Sequence, residues 1–362
     1  MARSVNSRRP ATLAGLAAEL GVSRTTVSNA YNRPDQLSPQ LRKRVLETAR
    51  RLGYPGPDPV ARSLRTRQAG AVGLLLTEAQ SAAFRDPVAI QFMEGLVTVC
   101  EEAGQGLLLI PASPEADERA TAATVYRAGV DGFVVYSVPD DDPNLAAVLQ
   151  RPLPTVVCDQ PQVDGVDQVG IDDRAAMRRL GRHLIGLGHR RIGVVCMRLS
   201  RDRRDGFADL QRQRAARFHV QRARLAGLAD AFGEVLVDWE AVAVVERFDQ
   251  TIASGASATS ELLDRDCGLT AIVCTSDILA LGALTEIHRR GLRVPEDLSV
   301  TGFDGVPEAE QAGLTTVAAP VLEKGRTAGR LLLDRAESRC RTVTLSAELV
   351  VRATSGAARC SW

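Results

Sequence analysis

Several features that would mark a secreted, metal-binding or membrane protein are absent from this 362-residue chain. Its seven cysteines show no C-x-x-C spacing and its four histidines do not cluster, so no zinc site or disulfide framework is expected. No run reaches eighteen apolar residues, and the N-terminus lacks a signal peptide's apolar core. These absences predict a cytoplasmic protein that does not enter a membrane.

Motifs of nucleotide-dependent and hydrolytic enzymes are also missing. Gly104 and Gly106 begin a G-x-G pattern, but it precedes a predicted strand instead of following one and lacks the third glycine. Neither a Walker loop nor a nucleophile elbow occurs. We therefore predict no catalytic residues, no cofactor and no metal, and we do not expect an enzyme.

Lysine is scarce as well, since Lys43 and Lys324 stand against 43 arginines. This bias is typical of a GC-rich genome and by itself indicates no function. The distribution of charge is more informative than the net charge of +1. Residues 1–70 hold thirteen basic and four acidic side chains, about +9, whereas the remainder holds thirty-two and forty, about −8. A compact basic head favours a polyanionic partner, because neutralised phosphates release condensed counterions.

Three short helices are predicted in this head. Thr12, Ser23 and Ser38 are suitable N-caps, and Gly21 and Gly53 are suited to the left-handed conformation that ends a helix. The first two helices, joined through a glycine turn, have the spacing of a helix-turn-helix. The alternative is an ordinary three-helix bundle with a solvated basic face.

The second helix, predicted at Arg24–Tyr31 within the segment SRTTVSNAYN at 23–32, argues against that alternative. Its outward side chains include Arg24 and Asn29, which can read base edges bidentately, and Thr25 and Ser28, which can bond bases or phosphates. The segment 11–32, with 41–54, closely resembles the headpiece of the lactose/galactose-repressor family of bacterial transcription regulators. The resemblance implies a set of DNA-binding residues: Thr12, Ser23, Arg24, Thr25, Thr26, Ser28, Asn29, Asn32, Arg33 and Tyr54.

The resemblance continues through VARSLRT at 60–66, which is similar to the family's hinge helix. It implies that Ala61 and Leu64 contact DNA, with Leu64 wedged into the minor groove. The preceding Pro-Gly-Pro-Asp-Pro run departs from the family pattern, with Asp58 where an Asn is common. A passive proline-rich linker therefore stays open as the alternative.

From residue 72 onward, short apolar runs alternate with amphipathic helical stretches, which predicts parallel sheets covered on both faces. Nearly three hundred residues exceed what one core usually holds, so two lobes are expected. Ligands bind such sheets beyond the carboxyl ends of the strands. The predicted strands are 72–76, 107–110, 132–136, 155–158, 192–196, 271–274 and 298–302.

Polar and aromatic side chains follow these predicted strands, and each can either cap the next helix or contact a ligand. As a set that converges on one cleft, ligand contact is favoured. Motifs such as RLAGL at 224–228 and SDILALGAL at 276–284 resemble the family's effector domain, although Ser276 departs from the usual Asn. The candidate effector-binding residues are Thr77, Tyr136, Asp159, Arg224, Phe248, Ser276 and Asp304.

The resemblance covers essentially the whole chain and implies an α/β fold, in which an all-α headpiece precedes a two-lobed, doubly wound effector domain like that of periplasmic binding proteins. The predicted domains are a helix-turn-helix headpiece at 1–57, a hinge helix or linker at 58–69, and an effector-binding and dimerisation domain at 70–362. Within it, lobe 1 takes about 70–161 and 319–345, and lobe 2 about 162–318 and 346–362.

One segment, residues 198–221, is longer than the family's usual loop, and seven of its residues are arginine. Two interpretations stay open: a solvated surface loop, or a lid that adds positive charge for an anionic effector. The whole pattern predicts a homodimeric repressor of a palindromic operator, switched by a small molecule for which a sugar is the expected class.

Overall fold

The computed structural model describes residues 11–57, 63, 66–76, 83–111, 118–334 and 340–359, and only backbone structure at 111 and 118–121. The chain divides into two compact units, Met1–Ala69 and Gly70–Trp362. The predictions for Ala61, Leu64 and Thr77 fall outside the described residues. The second unit holds both sheets and is called the body; the first is called the head.

Helices in the head begin and end where predicted, except that the second helix extends one residue further, to Asn32. They are α1 (Leu13–Leu20), α2 (Arg24–Asn32) and α3 (Pro39–Leu52), with a 3₁₀ turn at Pro34–Gln36. Thr12, Ser23 and Ser38 accept hydrogen bonds from the first-turn amides, and Gly21 and Gly53 end their helices in the left-handed region. Leu16, Val27 and Val45 are fully buried in the core between them.

Lobe 1 of the body is built on a parallel sheet. Its described strands are β1 (Ala71–Leu76), β2 (Gly106–Pro111), β3 (Gly132–Tyr136), β4 (Thr155–Cys158), β5 (Asp167–Ile171) and β12 (Thr342–Leu345). They lie in the order β12, β5, β4, β3, β1 and β2, and every neighbouring pair is parallel. The helices of this lobe are α4 (Pro87–Glu102), α5 (Glu118–Arg127), α6 (Pro143–Leu149) and α13 (Val321–Leu333).

Lobe 2 has a second sheet with antiparallel strands only at its edges. Its described strands are β6 (Ile192–Met197), β7 (Gly206–Phe207), β8 (Ala243–Arg247), β9 (Ala271–Cys274), β10 (Ser299–Asp304), β11 (Thr315–Ala318) and β13 (Glu348–Val350). They lie in the order β13, β11, β10, β9, β6, β8 and β7; β13 pairs with β11, and β7 with β8, in antiparallel fashion. The helices are α7 (Asp173–Gly186), α8 (Leu210–Arg214), α9 (His219–Gly233), α10 (Ile252–Arg265), α11 (Asp277–Arg289) and α12 (Pro307–Gln311), with a 3₁₀ turn at Trp239–Ala241.

The predicted boundary between the lobes needs one correction. Residues 162–171 were assigned to lobe 2, but β5 pairs in parallel with β4 and with β12 in the sheet of lobe 1. The chain therefore crosses between the lobes after Ile171, where Asp172 caps α7. Polar residues such as Asp167 and Gln168 hid this strand, because an edge-proximal strand need not be apolar throughout.

Each sheet has a hydrophobic core on both faces, as expected for a doubly wound fold. Glycines allow two lobe 1 helices to pack very closely: a Cβ on Gly325 would lie 2.1 Å from the Phe92 carbonyl oxygen, and one on Gly95 would lie 2.0 Å from the Leu322 carbonyl oxygen. This contact between α4 and α13 matters for the site, because Lys324 is next to Gly325. No helix in the described part of the chain is both long and apolar enough to span a membrane.

Candidate DNA-binding surface and ligand cavity

The head presents part of the predicted DNA-binding set on its surface. Arg24, Thr25 and Arg33 are exposed. The Asn29 amide is half-buried and donates to Gln36 Oε1 at 3.0 Å. This bond uses one of its two Nδ2 hydrogens, so the other hydrogen and Oδ1 can still contact a base. Arginine at the first position of α2 and threonine beside it are therefore the most accessible groups for a nucleic-acid edge.

Other members of that set already have partners within the head. Thr12 Oγ1 and Ser23 Oγ accept from first-turn amides, and the Ser23 and Thr26 hydroxyls are 2.9 Å apart. Asn32 Nδ2 donates to the carbonyl and hydroxyl oxygens of Ser28, at 3.0 and 3.1 Å. Tyr54 packs edge-on against Tyr31, with ring centroids 6.1 Å apart.

In the body, a cavity of about 110 Å³ lies between the two lobes. It is walled by residues at the carboxyl ends of strands from both sheets, as expected for ligand sites in such folds. Lobe 1 contributes Asp86, Tyr136, Ser137, Asp159, Gln160 and Lys324, with apolar neighbours. Lobe 2 contributes Met197, Arg198, Phe218, Val220, Gln221, Arg224, Gln250 and Asp304.

The lobe 1 wall is organised around one ion pair. Lys324 Nζ donates to both carboxylate oxygens of Asp159, each at 2.8 Å, and the two side chains are 4% and 9% exposed. Asp159 has a φ of +64°, an uncommon backbone conformation for a non-glycine residue. The close packing at Gly325 fixes the position of Lys324 in α13. Asp159 was predicted at this site; Lys324 was not.

An aromatic pair supports the same wall. Tyr136 ends β3 and stacks on Phe92 of α4, with centroids 4.0 Å apart and planes inclined by 17°. Burial raises the pKa of the Tyr136 hydroxyl well above its usual value, and the nearby Asp159 carboxylate adds to this effect. Tyr136 therefore stays neutral and can offer a hydroxyl to a ligand.

Arg224 is the central residue of the lobe 2 wall. Its Nε donates to Asp173 Oδ1 at 2.8 Å, its Nη1 donates to the Thr275 carbonyl at 2.7 Å, and Nη1 lies 3.5 Å from Asp304 Oδ1. The guanidinium carbon is 3.5 Å from the centroid of the Phe303 ring. Lobe 2 thus holds one buried cation between two buried carboxylates and an aromatic face.

Burial dominates the electrostatics of this cluster. It raises the pKa of Asp304 well above its usual range and also raises that of Asp173, although Arg224 opposes both shifts. Burial alone lowers the pKa of Arg224, but attraction to Asp173 and Asp304 outweighs it, so the net shift is upward. The guanidinium stays charged and neutralises its acidic neighbours.

Arg224 does not begin a helix, although it opens the RLAGL motif: α9 begins at His219 and Arg224 lies within it. Arg224 also pairs with an acid of another helix, Asp173 of α7. Arg224 therefore both lines the cavity and stabilises it.

Ser276 and Phe248 do not line the cavity. The Ser276 side chain is fully buried, caps α11 by accepting from Leu279 N, and accepts from Gln250 Nε2 at 3.0 Å. Gln250 itself lines the cavity. Phe248 lies behind the wall, between the guanidinium groups of Arg198 and Arg203, and Phe218 supplies the aromatic surface instead.

Residues 198–221 are more ordered than the solvated loop that was one interpretation. They contain β7, α8 and the first residues of α9, and Arg212 forms a hydrogen-bonded pair with Glu246, which is 1% exposed. Arg198 is 7% exposed and lies over the Phe218 ring at 5.2 Å. The segment forms part of the cavity wall.

The arrangement suits the binding of a small molecule. Within the described ranges, no group of three or more His, Cys, Asp or Glu side chains is placed to hold a metal ion. The cations and carboxylates of the cavity neutralise one another, and their hydrogen-bonding groups face a common space. A small-molecule site on a two-lobed domain with a helix-turn-helix head defines a class: transcription regulators with a ligand-binding domain.

Comparison with known proteins gives the family. The family model for a periplasmic binding protein-like domain matches residues 182–355. The chain is 54% identical over 355 residues to an HTH-type transcriptional regulator of Mycobacterium tuberculosis, covering 98% of this chain and 99% of that one. The chain belongs to the lactose/galactose-repressor (LacI) family of transcription regulators, so it is a DNA-binding regulator and not an enzyme.

Solved structures agree with this assignment. A LacI-family regulator from Corynebacterium glutamicum is 38% identical, with a TM-score of 0.74 and coverage of 97% of this chain and 100% of that one. The cellobiose complex of the regulator CelR is 28% identical, with a TM-score of 0.68 and coverage of 95% and 99%. The predicted fold class, an α/β body with two doubly wound lobes and an all-α head, is confirmed.

Proposed function

We propose that this chain is a cytoplasmic, dimeric repressor whose affinity for a palindromic operator is switched by a neutral, polyhydroxylated ligand, with a sugar as the expected class. The observation that carries this proposal is the pairing of charges in the cavity. Each lobe brings a cation and a carboxylate to the same space, Lys324 with Asp159 and Arg224 with Asp304.

Such pairs match hydroxyl groups. One hydroxyl can donate to a carboxylate oxygen and accept from a neighbouring cation, so a ring with several hydroxyls can satisfy both lobes at once. Charged side chains of both signs lie on the cavity wall, since Arg198, Arg224 and Lys324 are accompanied by Asp86, Asp159 and Asp304. A wall that presents acids as well as cations does not select for an anionic ligand, so this proposal departs from the anionic effector considered for the arginine-rich segment.

The dimer follows from the size of the head. One three-helix unit buries too little surface for specificity across a genome, whereas two heads can read the two halves of a palindrome. Within each head, Arg24, Thr25 and Asn29 would read bases, and Leu64 would wedge into the minor groove. Ligand binding changes operator affinity only if the two lobe arrangements bind DNA differently.

A thermal-shift screen followed by DNA binding tests the proposal. The panel contains cellobiose, ribose, other neutral sugars and polyols, nucleosides, and the matching sugar phosphates. We expect a neutral member to raise the melting temperature and to change the affinity for an operator selected from a randomised duplex library. A selected site without twofold symmetry, or stabilisation by the phosphates alone, would contradict the proposal.

A further inference from the structure

The arginine-rich segment connects the two lobes across the cavity through an acidic run that the proposed function does not use. This run, Asp140-Asp141-Asp142, follows β3 of lobe 1. Arg222 Nη1 and Nη2 each lie 3.3 Å from Asp140 Oδ2, and Arg217 Nε lies 3.8 Å from Asp141 Oδ2. Both pairs join lobe 2 to lobe 1.

Backbone contacts reinforce the same connection. Asp140 N donates to the Arg217 carbonyl at 2.8 Å, and Arg217 N in turn donates to the Leu199 carbonyl at 2.6 Å. The link therefore runs from lobe 1 through the arginine-rich segment to the end of β6. Arg201, also in this segment, lies near enough to Asp142 to oppose the rise in its carboxyl pKa that burial causes.

Helix α9 lacks a side-chain cap of its own and is capped from the other lobe. Its N-cap residue, Phe218, makes no side-chain cap hydrogen bond, whereas Val220 N donates to Gln160 Oε1 at 2.8 Å. Gln160 is 2% exposed and its Nε2 donates to Ser137 Oγ at 3.1 Å. Separating the lobes would leave a first-turn amide of α9 without this partner.

We propose that residues 198–222 form a lid over the cavity and that the lid is held to lobe 1 by an ionic latch between Arg217 and Arg222 and the run Asp140-Asp141-Asp142. The lid carries Arg198, Phe218, Val220 and Gln221 into the cavity wall. Opening the latch exposes the cavity. The role of the lid in ligand entry rests on the proposed function, whereas the latch does not.

The latch is weak enough to open and close reversibly. The Arg222 and Asp140 side chains are 36% and 30% exposed, so the pair is partly solvated and screened by salt. A partly exposed pair of this kind changes a two-state equilibrium by about two- to fivefold. That range is enough to set the balance between open and closed lobes without locking either one.

Distances between the lobes can be measured with labels on two exposed native cysteines. Cys267 in lobe 2 and Cys340 in lobe 1 are exposed, whereas Cys100, Cys158, Cys196 and Cys274 are buried. With Cys360→Ser to remove a further thiol, spin labels on Cys267 and Cys340 of the full chain report lobe separation by electron–electron double resonance. Dilution with unlabelled protein suppresses distances between subunits.

Without ligand, we expect Asp140→Asn and Arg222→Gln each to raise the long-distance population about two- to fivefold. The Asp140→Asn effect should vanish in the Arg222→Gln background, because the pair is already broken. Adding 0.5 M NaCl should shift the parent protein in the same direction and the double variant less. Arg293→Gln is the matched control, because its pair with Asp297 lies wholly within lobe 2.

Superimposable distance distributions for the parent and the Asp140→Asn variant at low salt would overturn the latch, as would an equal shift in the Arg293→Gln control. A melting temperature for each variant shows whether it is folded, and the reversed pair Asp140→Arg with Arg222→Asp should restore the short distance. Because the measurement contains no ligand, its outcome is independent of whether a neutral polyol binds the cavity.

Discussion

The head and the cavity use charge in opposite ways, and the chain's two lysines show the contrast. Lys43 of the head has a side chain that is 77% exposed and lies 4.0 Å from Glu47. Lys324 of the cavity is 4% exposed and is 2.8 Å from both oxygens of Asp159. The first cation is free to meet phosphates from solution, whereas the second is neutralised within its own lobe.

This difference shows how the head can select DNA sequences and how the cavity can select ligands. Exposed cations attract any polyanion, so the head must obtain sequence preference from a few groups such as Arg24 and Asn29. Buried pairs are costly to leave unmatched, so the cavity selects ligands that satisfy both members of each pair. Substitutions should therefore change stability in the cavity and DNA binding in the head.

The largest effect should follow Arg224→Met, which leaves Asp173 and Asp304 buried without their shared cation. Removing one partner of a buried ion pair destabilises a protein by about 3–5 kcal/mol. We expect a loss of this size in the free energy of unfolding of the body, measured by urea denaturation, together with loss of ligand response. Arg178→Met is the control, since its pair with Glu234 is 42% and 36% exposed. Equal free energies of unfolding for Arg224→Met and Arg178→Met would show that Arg224 does not stabilise the buried cluster.

A somewhat smaller effect is expected for Lys324→Met. Asp159 would lose its cation, but it lines the cavity and can be reached by water, so the loss should be near the low end of that range, about 3 kcal/mol. Lys43→Met, the change at the other lysine, should alter stability by less than about 1 kcal/mol. Thermal melting of the two variants gives the comparison directly; similar melting temperatures would remove the contrast between head and cavity.

The smallest effect on stability, and the clearest on DNA, should come from Arg24→Ala. An exposed side chain at the start of α2 contributes little to folding, while a lost bidentate base contact costs about 1–3 kcal/mol of binding and relaxes preference at one base pair. Fluorescence anisotropy with the operator and its single-base variants measures the binding affinity and the base preference. Arg50→Ala, which is exposed on α3, should instead weaken all duplexes alike and flatten the salt dependence. An unchanged base preference for Arg24→Ala would remove it from the recognition surface.

The helices of the head could be predicted largely from local sequence. Thr12, Ser23 and Ser38 as caps, and Gly21 and Gly53 as ends, are decided within a few residues of each helix, so the three predicted helices match the structure closely. What local sequence did not show is that several outward polar groups bond one another. The Asn29 contact with Gln36 joins residues on two different elements.

The residues that line the cavity could be predicted only in part. Asp159, Tyr136 and Asp304 were predicted because side chains at the carboxyl ends of parallel strands converge, and all three line the cavity. Lys324 was missed because it lies on a helix face, and its only signal was its rarity in an arginine-rich chain. Ser276 and Phe248 were predicted to contact ligand, and the structure places one as a buried cap and the other behind the cavity wall.

Sequence alone determined the class of the fold, the ends of the head helices and the segregation of charge, because these depend on periodicity, capping and composition along the chain. Tertiary structure decided which charges meet: Lys324 with Asp159, Arg224 with Asp173 and Asp304, and Arg222 with Asp140. The partners are separated by 51 to 165 positions. No local pattern records such a pairing. Burial and close helix packing bring the first two sets of groups together only when their own lobe has folded, and Arg222 meets Asp140 only when both lobes have formed.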